Sequence, residues 1–163
     1  MPTVSRKKLM PAPPDRVYDV ISDPRRLKDW WPRVTRVEDL DGKPGTARAR
    51  WTNVMAADSG RKLRMDYTCT GATRPERYEW EHELEGTPFE DHMVRQWTEI
   101  RLKPSGTGTE VSVTANHTLR GSARLAGFMM KKTQREMLDR ALGSLELIFD
   151  SASPEATDTE END

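Results

Sequence analysis

The chain has 163 residues, with 26 Lys and Arg against 27 Asp and Glu and a formal net charge of −1. That length suits one domain, and the balanced charge gives no global pull toward nucleic acid or an anionic membrane. Hydrophobic residues make up only 34% and charged residues 33%, so the expected core is thin and built from large side chains, the five Trp and eight Met among them.

Several further classes are excluded early. The longest apolar run, Leu125 to Met130, is far short of the ~20 residues of a membrane span. Met1 to Asp15 mixes prolines and charges and does not read as a signal peptide. One cysteine, Cys69, excludes an internal disulfide and a multi-cysteine metal site. The expectation is a soluble cytoplasmic protein. Residues 150–163 hold six acidic residues and no Lys or Arg, leaving 26 basic against 21 acidic residues in 1–149. Such a tail cannot bury enough surface to offset its ordering entropy, so it is expected to be a disordered acidic arm behind a folded 1–149.

In chain order, Thr3–Met10 reads as a first strand. Pro14 then opens a short helix whose apolar side is Val17, Tyr18, Val20 and Ile21. Asp23-Pro24 caps and starts a second short helix ending at Trp30-Trp31-Pro32. Strands follow at Val34–Leu40, Thr46–Met55 and from Leu63 to Thr70, separated by the turn signals Asp41-Gly42 and Ser59-Gly60. Tyr78, Trp80, His82 and Leu84 alternate with Glu79, Glu81, Glu83 and Glu85, the mark of a half-buried strand.

Phe89–Lys103 is a long strand of ambiguous facing. Four outward glutamates next door call for basic neighbours, and each opposite-charge pair contributes ~0.2–1 kcal/mol. Arg95 and Arg101 are therefore placed outward with Trp97, and His92, Val94, Gln96, Thr98, Ile100 and Leu102 inward. Val111, Val113, Ala115, His117 and Leu119 form the inner face of a last strand. Gly121-Ser122 leads into a helix over Ala123–Phe149 with one apolar stripe from Leu125, Phe128 and Met129 to Phe149. Gly143 inside it allows a bend or a close approach to the sheet.

The order is one strand, two short helices, about six antiparallel strands and one long helix of ~40 Å. A meander of that width curls, and the terminal helix is the element long enough to cover its concave face. The result is an α+β helix-grip architecture of about seven strands, with a candidate cavity between sheet and helix.

This chain resembles the START-like, Bet v 1-like (SRPBCC) superfamily, and within it the polyketide cyclase/dehydrase and lipid-transport-like branch. The resemblance rests on the opening APPDRVYDVISDPRRLKDWWP at residues 12–32 and on TGTEVSV at 107–113. It implies a helix-grip fold and a site for a lipid, polyketide or other apolar molecule, and it carries no catalytic motif.

Inward-facing residues supply the candidate site. His82 and His117, with Tyr67, Tyr78, Asn53 and Gln96, give polar points in an apolar cavity, and histidine titrates near neutrality. Trp51 and Trp80 are placed to stack on a planar ligand. Met65, Val94, Phe128 and Met129 supply apolar wall, and Trp30 and Trp31 are placed at the mouth. Each of these has a plainer reading as core packing. The three histidines match no metal-ligand spacing, so no metal and no cofactor is expected. Cys69 reads as a small apolar filler.

Three function classes follow. The first is binding or transport of a hydrophobic or aromatic small molecule, with the loop at 86–90 and the start of the last helix opening the mouth. The second is a cyclase/aromatase-type enzyme using cavity His and Tyr residues. The third is a protein-interaction module with a vestigial cavity. No nucleic acid partner and no membrane insertion is expected, and oligomeric state is unreadable.

Overall fold

The computed structural model describes residues 3–151. The acidic tail, from residue 152 on, lies outside the described residues. Strand β1 (Thr3–Met10) is followed by helix α1 (Pro14–Ile21), a 3-10 turn (Pro24–Arg26) and the single-turn helix α2 (Leu27–Trp30). Then come β2 (Val34–Asp41), β3 (Arg50–Ala56), β4 (Lys62–Thr73), β5 (Arg77–His82), β6 (Met93–Ser105) and β7 (Gly108–Leu119). A 3-10 segment (Gly121–Ala126) leads into α3 (Gly127–Ser151).

Local chemistry explains the breaks. Pro14 opens α1 where its missing N–H costs nothing. The Asp23 carboxylate accepts from the Arg25 backbone N–H at 3.0 Å. Gly42 and Gly60 turn the chain at φ of +86° and +79°, which side-chain-bearing residues rarely adopt.

The strands form one seven-stranded antiparallel sheet in the order β1-β7-β6-β5-β4-β3-β2. The last six are a meander, and β1 completes the sheet beyond β7. Period-two burial is complete in β7, where Thr109, Val111, Val113, Ala115, His117 and Leu119 are all buried. In β5, Tyr78, Trp80 and His82 are buried. The helix-grip architecture is as expected from the order of elements.

Helix α3 docks through its C-terminal half. Leu138, Ala141, Leu142, Leu145 and Phe149 are buried in the main core. The Arg6 guanidinium on β1 makes paired bonds of 2.8 and 3.0 Å to Asp139, and Lys8 reaches Glu146 at 3.7 Å. Asp139 and Glu146 are two helical turns apart, so the salt bridges run alongside the apolar stripe.

The outer face of the sheet is a lattice of ion pairs. Arg95 bonds Glu81 at 3.0 and 3.1 Å, Arg50 bonds Glu83 at 2.9 and 2.6 Å, and Arg77 bridges Glu79 and Glu99. Arg95 is thus the expected basic neighbour of the glutamate row. Arg101 instead pairs with Glu99 on its own strand. Trp97 stays on the outer face, half-buried under the Arg95 guanidinium at 4.1 Å, a cation–π contact.

Three expectations need correction. The strand expected from Thr46 starts only at Arg50, because Arg48 has φ +73° and the preceding residues turn, with Thr46 bonded to the Lys43 carbonyl. A bulge between Met93 and Arg95 changes the facing at the start of β6. Gln96, Thr98, Ile100 and Leu102 face in as expected, but Met93 is buried and Val94 is 53% exposed. His92 falls outside the strand and is exposed. The long helix begins at Gly127, after a 3-10 segment, rather than at Ala123. Leu125 in the 3-10 segment and Phe128 and Met129 in the first turn of α3 are 89%, 84% and 76% exposed, while Ala123 and Met130 pack on Leu84, Met93 and Leu119.

Gly143 does not serve a close approach, since a Cβ built there meets nothing within 4 Å. Its cost is then purely conformational. Gly143→Ala is expected to stabilise the fold by up to ~1 kcal/mol, raising the melting temperature by a few degrees in a thermal denaturation scan.

Candidate functional site

Antiparallel register brings one residue from each of five strands into a single row across the concave face. Trp51 of β3 pairs with Tyr67 of β4, and Tyr67 pairs with His82 of β5. His82 bonds Gln96 of β6, which pairs with His117 of β7. The side chains follow the register. The Trp51 and Tyr67 rings stack at 6.1 Å, and Tyr67 stacks on the His82 imidazole at 4.9 Å.

The polar end of this row is one hydrogen-bonded chain. His82 Nδ1 lies 2.8 Å from Gln96 Oε1, and Gln96 Nε2 lies 3.1 Å from His117 Nε2. An amide oxygen only accepts and an amide nitrogen only donates. His82 therefore carries its proton on Nδ1, and His117 presents a bare Nε2. That leaves His82 Nε2 as a bare acceptor, and it is buried with no partner. The ring is 3% exposed. A buried acceptor without a partner costs ~1–3 kcal/mol.

Burial depresses the pKa of both imidazoles. For His82 the Gln96 bond and the carboxylates of Asp66 and Glu83 oppose this without reversing it. For His117 proximity to His82 adds to the effect. Both rings are neutral at neutral pH. The Tyr67 and Tyr78 hydroxyls are pushed far above the usual phenol range by burial, so neither ionises as a base. Burial likewise raises the Cys69 thiol, whose Sγ lies 3.5 Å from the Gly71 carbonyl oxygen.

The polar chain divides the interior. On one side is the main core, where Trp80 contacts Trp30, Trp31, Trp51 and Tyr78 at ring separations of 5.1–6.5 Å. On the other side is a separate small cluster of Leu84, Met93 and Leu119, covered by Phe89, Ala123 and Met130. Leu84 and Leu119 lie two residues beyond His82 and His117, one row further along each strand. The bulge in β6 places Met93 beside them, paired with Leu119. This end of the grip, the expected mouth, is covered by Phe89 of the 83–92 loop and by Ala123 and Met130 around the start of α3.

Of the expected site residues, Trp51, Tyr67, His82, Gln96 and His117 share the row. Asn53 and Met65 pair with each other one step toward the mouth, and Asn53 Oδ1 is another buried acceptor without a partner. Tyr78 and Trp80 lie deeper, in the main core. Trp30 and Trp31, expected at the mouth, are instead core residues, 2% and 8% exposed, with rings in edge contact at 5.3 Å. Val94, Phe128 and Met129 are not cavity wall, because the bulge turns Val94 outward and the other two are exposed in the first turn of α3. Val94 borders a groove of about 790 Å³ lined by Arg50, Thr68, Glu81 and Glu83 together with His82 and Leu84.

Sequence reasoning missed Phe89 and Gln134. Phe89 sets its ring edge-on to His82 at 5.6 Å and 61°; the available signal was a lone aromatic after Gly86-Thr87-Pro88. Gln134 on α3 has a buried Oε1 with no partner. It sits one turn from Met130 of the mouth cluster and one turn from Leu138 of the core, so the helix contributes to the same polar level.

The family model for polyketide cyclase/dehydrase and lipid transport matches residues 1–148. The chain belongs to this family. The protein TTHA0849 from Thermus thermophilus is 27% identical with a TM-score of 0.73, over 94% of this chain and 100% of that one. A START superfamily protein from Mycobacterium smegmatis is 17% identical with a TM-score of 0.72, over 91% and 97% of the two chains. Ara h 8.0201 is 14% identical with a TM-score of 0.69, also over 91% and 97%. No curated protein matches the chain. Family and fold together support hydrophobic ligand binding in general. Among the described residues, no helix is long and apolar enough to cross a membrane.

The neutral imidazoles make stability depend on pH. Histidines in the unfolded chain titrate near ~6.5, and His82 and His117 in the fold titrate lower. Their contribution is fully present above the unfolded value and is lost as pH falls through it toward the folded values. Glu38, held down by Arg64 and Arg36, and Glu83, held down by Arg50, lose their contributions only below the ordinary carboxylate range. Melting temperature is expected to fall between about pH 7.5 and about pH 5.5, and His82→Gln/His117→Gln is expected to flatten that fall in parallel thermal scans.

Proposed function

We propose that this protein binds and carries a hydrophobic or aromatic small molecule, lipid or polyketide-like, at the mouth between sheet and helix. The observation that supports this reading is the isolation of the Leu84, Met93 and Leu119 cluster from the main core by the His82–Gln96–His117 chain. A cluster that is not continuous with the core can open without unfolding it. Enclosure of an apolar guest then removes area from water at ~25 cal/mol per Å², and a few polar atoms set its orientation.

The deep half of the grip is filled by tryptophan rings, so a guest enters at the mouth rather than between the tryptophans. An acid–base enzyme would be favoured by an inward histidine–carboxylate pair. Here both histidines share a neutral amide instead, which favours the carrier over the cyclase/aromatase reading.

Native mass spectrometry of protein purified from its own host is expected to show a co-purifying apolar molecule. A panel of long-chain fatty acids and hydroxylated polycyclic aromatics is expected to raise the melting temperature. Neither result appearing would overturn the carrier reading. Ala123→Trp, which fills the mouth, is expected to weaken binding at least about tenfold while leaving the unliganded melting temperature within a few degrees of the parent.

A further inference from the structure

The mouth holds an atom that packing alone does not explain. His82 is 3% exposed, its Nδ1 is committed to Gln96, and its Nε2 accepts from nothing. With the Gln96 amide oxygen turned to His82 Nδ1 as in the structure, that Nδ1 carries the proton and Nε2 is bare. Tyr67 covers one face of the ring at 4.9 Å, in the sheet and itself buried. Phe89 covers the edge from the loop, only half-buried.

The two covers differ in how firmly they are held. Tyr67 belongs to the cross-strand ladder. The loop carrying Phe89 makes most of its hydrogen bonds within itself: Thr87 N–H and Oγ1 donate to the Leu84 carbonyl, Gly86 N–H donates to Glu90, and His92 N–H donates to the Phe89 carbonyl, while Glu83 N–H to the Asp66 carbonyl and Met93 N–H to the Phe89 carbonyl anchor its two ends to the sheet. Beyond the loop, the Arg120 N–H donates to the His92 carbonyl at 2.8 Å. Phe89 can leave the mouth cluster as part of a small unit, without breaking the sheet. From the helix side, Gln134 Oε1 supplies a second buried acceptor at the same level.

The geometry points to a specific ligand chemistry: an un-ionised hydroxyl or N–H on an apolar ring system, received by His82 Nε2 after the ring displaces Phe89. The ligand body replaces the Phe89 ring in contact with Leu84, Met93 and Leu119, and its donor removes the unsatisfied acceptor. This rests on the carrier reading above and adds to it the group by which the guest is chosen.

The test uses three matched probes on the full chain: 2-naphthol, 2-methoxynaphthalene, which lacks the donor, and naphthalene. Calorimetric titration is expected to show 2-naphthol binding about tenfold more tightly than the other two. His82→Phe is expected to abolish that preference. Phe89→Ala is expected to tighten 2-naphthol and 2-methoxynaphthalene together and keep their ratio. Because His82→Phe strips Gln96 of a partner and can unfold the chain, ¹⁵N spectra of the histidine rings provide a second reading. The bare His82 Nε2 resonance is expected to move upfield with 2-naphthol and not with its methyl ether. Equal affinity for alcohol and ether, or an unmoved Nε2 resonance at saturation, overturns the proposal. If the three naphthalenes fail to bind while fatty acids raise the melting temperature, this proposal is overturned and the carrier reading stands. If nothing in either panel binds, both are overturned.

Discussion

The hydrogen-bonded chain from His82 through Gln96 to His117 is the constraint from which the rest of the interior takes its shape. Three polar side chains on adjacent strands can share an apolar interior only if each donor meets an acceptor. Gln96 meets that condition by turning its oxygen to one ring and its nitrogen to the other. The same arrangement excludes charge: a protonated His117 would set an N–H against the amide nitrogen, and burial already disfavours the cation. The row is therefore neutral, and it lies between the aromatic core on one side and the Leu84, Met93 and Leu119 cluster on the other.

The register that builds this row is held from the opposite face. Arg95–Glu81 ties β6 to its neighbour β5 at the level of His82, Arg50 of β3 reaches across β4 to Glu83 just past the end of β5, and Thr68 of β4 adds a bond of 2.7 Å to the same Glu83. A one-residue slip of β5 would send His82 outward among arginines and a glutamate inward among tryptophans. Each exposed pair contributes little alone, but any odd-numbered slip would bury unpaired carboxylates. Specificity of pairing, more than net stability, is what these charges supply.

How much of this is legible in the sequence depends on whether one period governs the whole element. In β5 and β7 strict alternation runs unbroken, and Tyr78, Trp80, His82, Val111, Val113, Ala115 and His117 are readable as inward. Val94 and His92 are misplaced by the same reasoning because the bulge at 93–95 adds a residue, and alternation carries no mark of where such a residue falls. Phe128 and Met129 continue the helical stripe of Leu138 to Phe149, yet a stripe does not say which of its members are covered, and here Met130 packs on the Leu84, Met93 and Leu119 cluster while Phe128 and Met129 stay exposed. Trp30 and Trp31 are recognisable as a hydrophobic helix end, but only tertiary packing sets their rings against Trp80. The pairing of Gln96 with both histidines is a relation among three strands, which no local pattern in one of them records.

The two halves of the interior also differ in how they can respond to a guest. Removing a ring from the tryptophan cluster would cost ~3–5 kcal/mol, a large share of the ~5–15 kcal/mol that holds a domain of this size folded. Moving Phe89 exposes one half-buried ring whose loop keeps its own hydrogen bonds. A binding site develops where opening costs least and where an incoming group relieves an existing deficit. The proposed site at His82 Nε2 meets both conditions, while the deep aromatic core, although richer in surface for stacking, is covered by fully buried side chains. On the proposed carrier reading, selectivity in this grip would rest on the polar layer beside the Leu84, Met93 and Leu119 cluster, with the packed tryptophans on its other side.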